Sequence, residues 1–186
     1  MTIKEIIKTS ATLLNREDLK KYLDGQSYSA ESDTAKAIER LIELANLVIN
    51  ELSLSFVPMV KSESINAGSN RVYYSSLSES AISIFEVLDA NGNNIDFTQS
   101  GEYFETVGYA KTIKYSFVPK KYAIDETIGY SEKDVSMRSL AYGLTAEFCL
   151  TEGEFDLAVL FHDKYVESLK EICLPKNRIS RKRSWL

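Results

Sequence analysis

Residues 35–52, AKAIERLIELANLVINEL, show the most regular pattern in the chain. Apolar side chains recur there at steps of three and four residues, which is the repeat of one face of an α-helix. The residues of this face are Ile38, Leu41, Ile42, Ala45, Val48, Ile49 and Leu52. Ser32 or Asp33 is the expected N-cap, and Pro58 ends the pattern. About twenty residues at ~1.5 Å each predict a long helix, able to organise a bundle.

Two short helices are predicted before this long one. Apolar residues within 3–14 favour the first helix. Asn15 is expected to cap the second helix, whose third residue would be Asp18, and Gly25 is expected to end it.

The apolar period changes to two over about 65–122. The runs 81–88 and 95–98 flank Asn91-Gly92, and an Asn-Gly pair between apolar runs predicts a hairpin turn because both residues tolerate positive φ. Alternating or apolar residues predict further strands at Tyr103–Val107 and Thr112–Phe117. The region therefore predicts an antiparallel β unit of four to six short strands.

Two helices are predicted after the β unit. Ser131 and Asp134 resemble a capping box at the start of the first, and Gly153 separates it from the second. Leu140, Leu144 and Phe148 mark the apolar face of the first helix. The expected face of the second is Phe155, Ala158, His162, Tyr165, Leu169 and Ile172, with Pro175 ending the helix. Such a pair is expected to pack as an antiparallel hairpin.

The predicted fold class is α+β, mainly α. A helical bundle, made of the long central helix and the C-terminal helical hairpin, carries an inserted antiparallel β unit and a basic C-terminal arm. Residues 1–173 are expected to form a single domain with the insert at about 65–122, and 174–186 an extended arm.

The composition is ordinary for a soluble globular protein of 186 residues, with 44 % hydrophobic and 26 % charged residues. No apolar run approaches the ~18 residues of a membrane-spanning helix. The N-terminus lacks the basic-then-apolar layout of a secretory signal, so we expect synthesis in a cytoplasm and no membrane partner. Cys149 and Cys173 are expected to be reduced core residues.

Charge is distributed unevenly along the chain. Residues 174–186 contain five basic residues and no acid, which leaves 17 of the 22 basic residues against all 27 acids in the rest. Residues 1–173 therefore carry a formal charge of −10. An acidic body repels nucleic acid, whereas a cationic arm favours an acidic partner, which could be a second copy of this chain.

The sequence offers few residues for catalysis or metal binding. His162 is the only histidine, and no nucleophile is clearly placed beside it. Asp89, Asn91 and Asn93 alternate as in a calcium loop, but Ser100 stands where such a loop needs a glutamate, so a turn is the favoured interpretation. No glycine-rich phosphate loop is present. We therefore expect no catalytic residue, no metal site and no cofactor.

The arm combines positive charge with large apolar groups, which a solvated tail usually lacks. Tryptophan and arginine are enriched at binding hot spots. The candidate partner-binding residues are Lys176, Arg178, Arg181, Lys182, Arg183, Trp185 and Leu186. A frayed end whose tryptophan folds back on its own bundle is the alternative.

The chain resembles the head-to-tail connector, or adaptor, proteins of tailed bacteriophages. The resemblance rests on the long helix ending at 47–52 with Phe-Val-Pro-Met at 56–59, the β excursion, and the hairpin motifs at 140–143 and 148–155. It also includes the basic end Lys-Arg-Ser-Trp-Leu, the last five residues.

The resemblance implies a virion structural protein without enzymatic activity, located at the neck and made in the host cytoplasm. It implies a homo-oligomeric ring, often twelvefold, between the portal protein and the next neck or tail protein. DNA would pass through its channel without specific binding. The alternatives are a nucleic-acid-binding accessory protein that acts through its basic tail, and a small enzyme using His162.

Overall fold

The structure, a computed structural model, describes residues 1–26, 32–65 and 70–173. These residues form five α-helices and two small antiparallel β-sheets, so the predicted α+β class is confirmed. The chain divides into two compact units. The helical unit comprises 1–48 and the chain from 122 onward, and the β unit comprises 49–121. In the described part of the chain, no helix has both the length and the apolar character needed to cross a bilayer.

The helices and strands are labelled in chain order. The helices are α1 (Ile3–Leu13), α2 (Glu17–Leu23), α3 (Asp33–Ser55), α4 (Met137–Glu152) and α5 (Phe155–Cys173). The strands are β1 (Val60–Ser64), β2 (Arg71–Tyr73), β3 (Ala81–Leu88), β4 (Phe97–Gln99), β5 (Tyr103–Thr106) and β6 (Thr112–Phe117).

The first two helices form where predicted, but the role expected of Asn15 was wrong. The N-cap of α2 is Arg16, which makes no side-chain capping bond. Asn15 instead has φ of 55° and ends α1. The Asn15 N–H donates to the Thr12 carbonyl and the Arg16 N–H to the Ala11 carbonyl, the two bonds of a Schellman motif. Asparagine tolerates this left-handed position better than most residues.

The long helix α3 confirms the pattern that predicted it. Ser32 is its N-cap, since its Oγ accepts a hydrogen bond from the Ala35 N–H at 3.2 Å. Of the seven residues in the predicted apolar face, all except the half-buried Ile42 are buried.

Asn46 of α3 holds the chain where it returns from the β unit. Its amide nitrogen donates to the Tyr122 carbonyl at 3.0 Å, and its amide oxygen accepts from the Tyr122 N–H at 2.7 Å. The side chain therefore pairs with a backbone 76 residues away as a neighbouring strand would. After Tyr122 the chain runs beside the N-terminus, where the Lys4 N–H donates to the Ile124 carbonyl at 2.8 Å.

The capping box predicted at Ser131 and Asp134 does not start a helix. The Ser131 hydroxyl donates to the Asp134 carboxylate at 2.6 Å, but these residues close a turn. The helix α4 begins later, at Met137, and its N-cap is Ser136, whose Oγ accepts from the Ser139 N–H at 3.1 Å. Ser136, and not Ser131, is therefore the residue that caps the start of α4.

The β unit contains two three-stranded antiparallel sheets, with strand orders β1-β6-β3 and β2-β5-β4. The predicted turn at Asn91-Gly92 is present, and Gly92 has φ of +81°. The hairpin pairing expected around it was wrong: β3 pairs with β6 and β4 with β5, and a single bridge joins Leu88 to Asn94. Although runs 81–88 and 95–98 belong to different sheets, apolar side chains from both pack into the same hydrophobic core.

Both sheets contribute to the core of the β unit. Its fully buried side chains include Val87, Phe104, Ile113 and Tyr115, so the alternation predicted for β6 is confirmed for Ile113 and Tyr115. At the end of the strand it fails, because Ser116 is buried and Phe117 is only half-buried. The strand β1 was not predicted, because it begins before residue 65 and its sequence shows little apolar alternation. Its Glu63 accepts a hydrogen bond from the Tyr115 hydroxyl at 2.7 Å. Hydrogen bonds from Ser78 and Tyr115 lower the pKa of Glu63, so the buried tyrosine meets an ionised carboxylate at neutral pH.

Three helices of the helical unit come close together at Gly143 of α4. A Cβ atom placed there would lie 2.9 Å from Cγ1 of Val48 on α3 and 3.1 Å from the ring of Tyr165 on α5. Both neighbours are buried. Only glycine therefore allows α3 and α5 to pack at this level of α4.

We expect Gly143→Ala to destabilise the protein by about 1–2 kcal/mol. Overpacking against a branched, buried valine costs more than the ~1 kcal/mol that alanine gains in helix propensity. Urea unfolding followed by circular dichroism measures the change. Gly101→Ala, where a Cβ would meet nothing within 4 Å, is the control and should stay within ~0.5 kcal/mol of wild type. Equal stability of the two variants would contradict the tight approach.

Asp18 connects the start of α2 to α3. It accepts two hydrogen bonds from the Arg16 guanidinium, at 2.8 and 2.9 Å, and one from the Thr34 hydroxyl at 3.2 Å. The hydrogen bonds from Arg16 are the main cause that lowers the pKa of Asp18 to about 2. Asp18 therefore stabilises the folded chain in its ionised form.

Asp18→Asn should remove a pH-dependent part of the stability. The unfolded pKa near 3.8 lies above the folded value of about 2, so the contribution is complete above pH ~4 and is lost as pH falls toward ~2. Because the pair is about a third exposed to water, we expect ~1 kcal/mol or less at pH 7. Urea unfolding from pH 7 to pH 2 tests this, and Arg16→Gln should reproduce it. If the free energies of unfolding of wild type and Asp18→Asn differ by the same amount at pH 7 and at pH 2, the prediction is wrong.

Candidate partner-binding surface

The residues that the sequence singled out for partner binding lie outside the described residues. The last described residue is Cys173, the end of α5, and the candidate set from Lys176 to Leu186 follows it. The surface that the structure offers is therefore built from the helices that precede this arm.

The buried face of α5 differs from the face predicted for it. Ala158, Phe161, Tyr165 and Leu169 are buried and pack toward α4. Of the predicted face, Phe155 and His162 are exposed and Ile172 is half-buried. The true face is rotated by a fraction of a turn, so α5 presents apolar side chains on both sides of its buried stripe.

One side of α5 forms a shallow groove with α4. The groove has a volume of about 190 Å³ and is called the α4–α5 groove here. Its lining residues are Ala146, Glu147, Leu150, Ala158, Val159 and His162. Leu150 is 50 % exposed and Val159 is 62 % exposed, and Phe155, one turn before Val159, is 65 % exposed. A run of large, well-exposed apolar groups on one stripe is typical of a surface that a partner covers.

Acidic groups border the α4–α5 groove. Asp156, Asp163 and Glu167 lie on the solvent face of α5, at spacings of seven and four residues, and are exposed. Within the described residues, none of these carboxylates is paired with a basic side chain. Glu147 adds a fourth carboxylate in the groove itself. The groove is therefore apolar along its floor and negatively charged along its border.

The other side of α5 carries exposed apolar residues and two cations, and is called the basic flank here. Leu157 and Leu160 are exposed there, and Lys164 follows Leu160 by one turn. The Lys164 ammonium lies 5.4 Å from the centre of the Phe161 ring and 5.7 Å from that of Tyr142. Arg138 lies 5.4 Å from the centre of the same Tyr142 ring. The positive charge of this flank is therefore concentrated around Tyr142, whereas exposed acids, Glu167 and Glu171, lie further along the same side of α5.

A second exposed cluster lies on β2 and β5. The Arg71 guanidinium lies 4.2 Å from the centre of the Tyr103 ring and donates to the Glu105 carboxylate at 2.6 Å. Tyr73 packs edge-on against Tyr103 at 5.7 Å. These contacts order four side chains that remain in contact with water.

In the loop that resembled the start of a calcium site, the carboxylate of Asp89 accepts hydrogen bonds from the loop's own backbone. Oδ1 of Asp89 accepts the backbone N–H groups of Asn91 and Asn93, each at 2.8 Å. These bonds, that from Asn93 first, lower the pKa of Asp89. The carboxylate therefore caps the turn. Among residues 1–26, 32–65 and 70–173 there is no cluster of three potential metal-ligating side chains.

His162 lies on the wall of the α4–α5 groove, with Glu147 among the other lining residues. It is exposed, and in the described part of the chain no hydroxyl or carboxylate forms a hydrogen bond with it. Its place in the groove makes it available to a bound partner.

The two cysteines have different environments. Cys149 is buried as predicted, and burial, followed by the nearby Glu154 and Glu152, raises the pKa of its thiol. The expectation for Cys173 was wrong, because it is exposed at the end of α5. Both are free thiols. Cys173 lies immediately before the basic arm, so it offers a labelling point beside that arm.

One thiol per native chain should react readily with an aromatic disulfide reagent, and two should react in denaturant. Access favours Cys173, whereas Cys149 is buried, which raises the pKa of its thiol, and reacts only when the helices open. Absorbance of the released thiolate measures the stoichiometry. Cys173→Ser should abolish the fast reaction and leave the slow one, and a fast phase that persists in this variant would contradict the assignment.

Comparison of the chain with models of protein families found no matching family, and a search of curated proteins found no significant match.

Proposed function

We propose that this protein is a head-to-tail connector of a tailed bacteriophage. In this proposal it is a virion structural protein without enzymatic activity, built on a helical bundle of α3 and the α4–α5 hairpin. Copies assemble into a ring between the portal protein and the next neck or tail protein.

The observation that carries the proposal is the exposure of apolar side chains on both flanks of α5. Val159 is exposed on the side of the α4–α5 groove, and Leu157 and Leu160 are exposed on the basic flank. A subunit in a closed ring contacts one neighbour on each side through two different surfaces, so it needs two such patches. A twofold dimer needs only one, because the same patch meets itself.

Charge also supports a ring. The groove side carries Glu147 and Asp163, and the basic flank carries Lys164 and Arg138. In a head-to-tail contact, Lys164 and Arg138 of one copy would attract Glu147 and Asp163 of the next. The formal charge of −10 on residues 1–173 would let DNA pass through the channel without binding.

The test is assembly on a portal ring. The purified chain is mixed with portal rings of a phage that carries it, and the complexes are imaged by negative-stain electron microscopy. We expect an added ring of density on the portal. Leu160→Asp should reduce its occupancy about tenfold or more, because a charge would be placed in an apolar contact.

Val107→Asp is the matched control, since Val107 is 78 % exposed in the β unit and away from both flanks in sequence. It should assemble as wild type does. Failure of the wild-type chain to bind portal or neck rings at micromolar concentration would refute the proposal, and so would salt-sensitive DNA binding that is lost when 176–186 are deleted.

A further inference from the structure

We propose that the α4–α5 groove binds the C-terminal arm, residues 174–186, of a neighbouring copy of this chain. Trp185 occupies the groove and the basic residues of the arm lie along the acidic border. The inference rests on the proposed ring, because it names the contact that joins one copy to the next.

The lining of the groove indicates the kind of occupant. The apolar floor at Ala146, Leu150 and Val159 suits an aromatic ring, and the arm contains the only tryptophan of the chain.

The charges of the arm and the border are complementary. The arm carries five basic residues and no acid. The border carries Asp156, Asp163 and Glu167, with Glu147 in the groove. The arm contains both basic and large apolar residues, and the groove contains both acidic and apolar residues. An extended segment can therefore place its tryptophan in the groove and several cations beside the carboxylates.

The arm is long enough to reach a neighbouring copy. Thirteen extended residues span up to about 43 Å, which is comparable with the width of a unit of ~100 residues. Val159 lies fourteen residues before Cys173 in α5, about 21 Å along the helix, so the same length also covers the return to the chain's own groove. The choice of the neighbour follows from the proposed ring, in which the arm joins one copy to the next.

The basic flank gives the neighbour a second contact. Leu157 and Leu160 of one copy lie on the opposite side of α5 from its groove, so they remain available when the groove is filled. Each copy then donates an arm to one neighbour and accepts an arm from the other. Such a contact is heterologous, as ring closure requires.

The single tryptophan makes the contact directly measurable. Trp185 is the only tryptophan, so the fluorescence emission of the full chain reports on the arm alone. We expect emission typical of an exposed indole at low protein concentration and a shift to shorter wavelength as concentration rises, in parallel with self-association measured by sedimentation. Contact between two copies does not require a closed ring, so the shift occurs in the free protein.

Two valine variants locate the acceptor. Val159→Asp should move the midpoint of the fluorescence shift to about tenfold higher concentration or more, because a carboxylate replaces part of the apolar floor. Val107→Asp, the same change on an exposed valine of the β unit, should leave the midpoint unchanged. Thermal unfolding of both variants checks that each is folded.

Two arm variants separate the anchor from the charges. Trp185→Ala should weaken self-association, measured by sedimentation, by tenfold or more, and Arg181→Ala by about fivefold or less. A buried aromatic anchor contributes more than one exposed charge pair. Equal effects of the two changes would overturn the role of Trp185.

The remaining outcomes each overturn the proposal in a distinct way. Emission shifted to short wavelength at every concentration shows the arm bound to its own chain. Emission that stays at long wavelength while sedimentation detects association shows that copies meet without the arm in the groove, and leaves the proposed ring intact. A chain that stays monomeric, with exposed tryptophan and no binding to portal rings, fails both proposals.

Discussion

The contact at Gly143 constrains how three helices pack in the helical unit. The absence of a Cβ there leaves room for Val48 of α3 and Tyr165 of α5 against α4. Because interiors are close-packed, an added methyl group at this point would force a shift of its neighbours. At this contact α5 buries the stripe that contains Tyr165, and other apolar residues of α5 remain exposed beside it.

Those flanks are the basis of the proposed function. The buried stripe of α5 consists of Ala158, Phe161, Tyr165 and Leu169, and Val159 and Leu160 lie outside it. Large exposed apolar groups are typical of surfaces that a partner covers, and the proposed partner is a second copy of the chain. In the proposed ring, the basic arm would face the acidic solvent face of α5 on a neighbouring copy.

Much of the fold could be predicted from periodicity, and the failures have specific physical causes. The apolar stripe of α3 and the alternation in β6 were strong enough to locate both elements. Pairing of β3 with β6 could not be predicted, because a turn places two runs near each other without specifying which edges bond. The candidate groove was not predicted, because two overlapping sets of apolar residues in α5 both fit the helical repeat and the sequence does not show which set is buried. The positions of Asp156, Asp163 and Glu167 could have decided between them, since the buried stripe lies opposite the acids. The basic arm was predicted from composition alone and lies outside the described residues, and the groove proposed to accept it could be recognised only from coordinates.

The pairing of Asn46 with the backbone of Tyr122 has a consequence for how such a chain can diversify. It joins the two ends of the chain segment that forms the β unit. The entropy cost of closing a loop grows only slowly with loop length. We therefore expect a change in the length of this segment to cost the helical unit little free energy while Asn46 and Tyr122 remain paired.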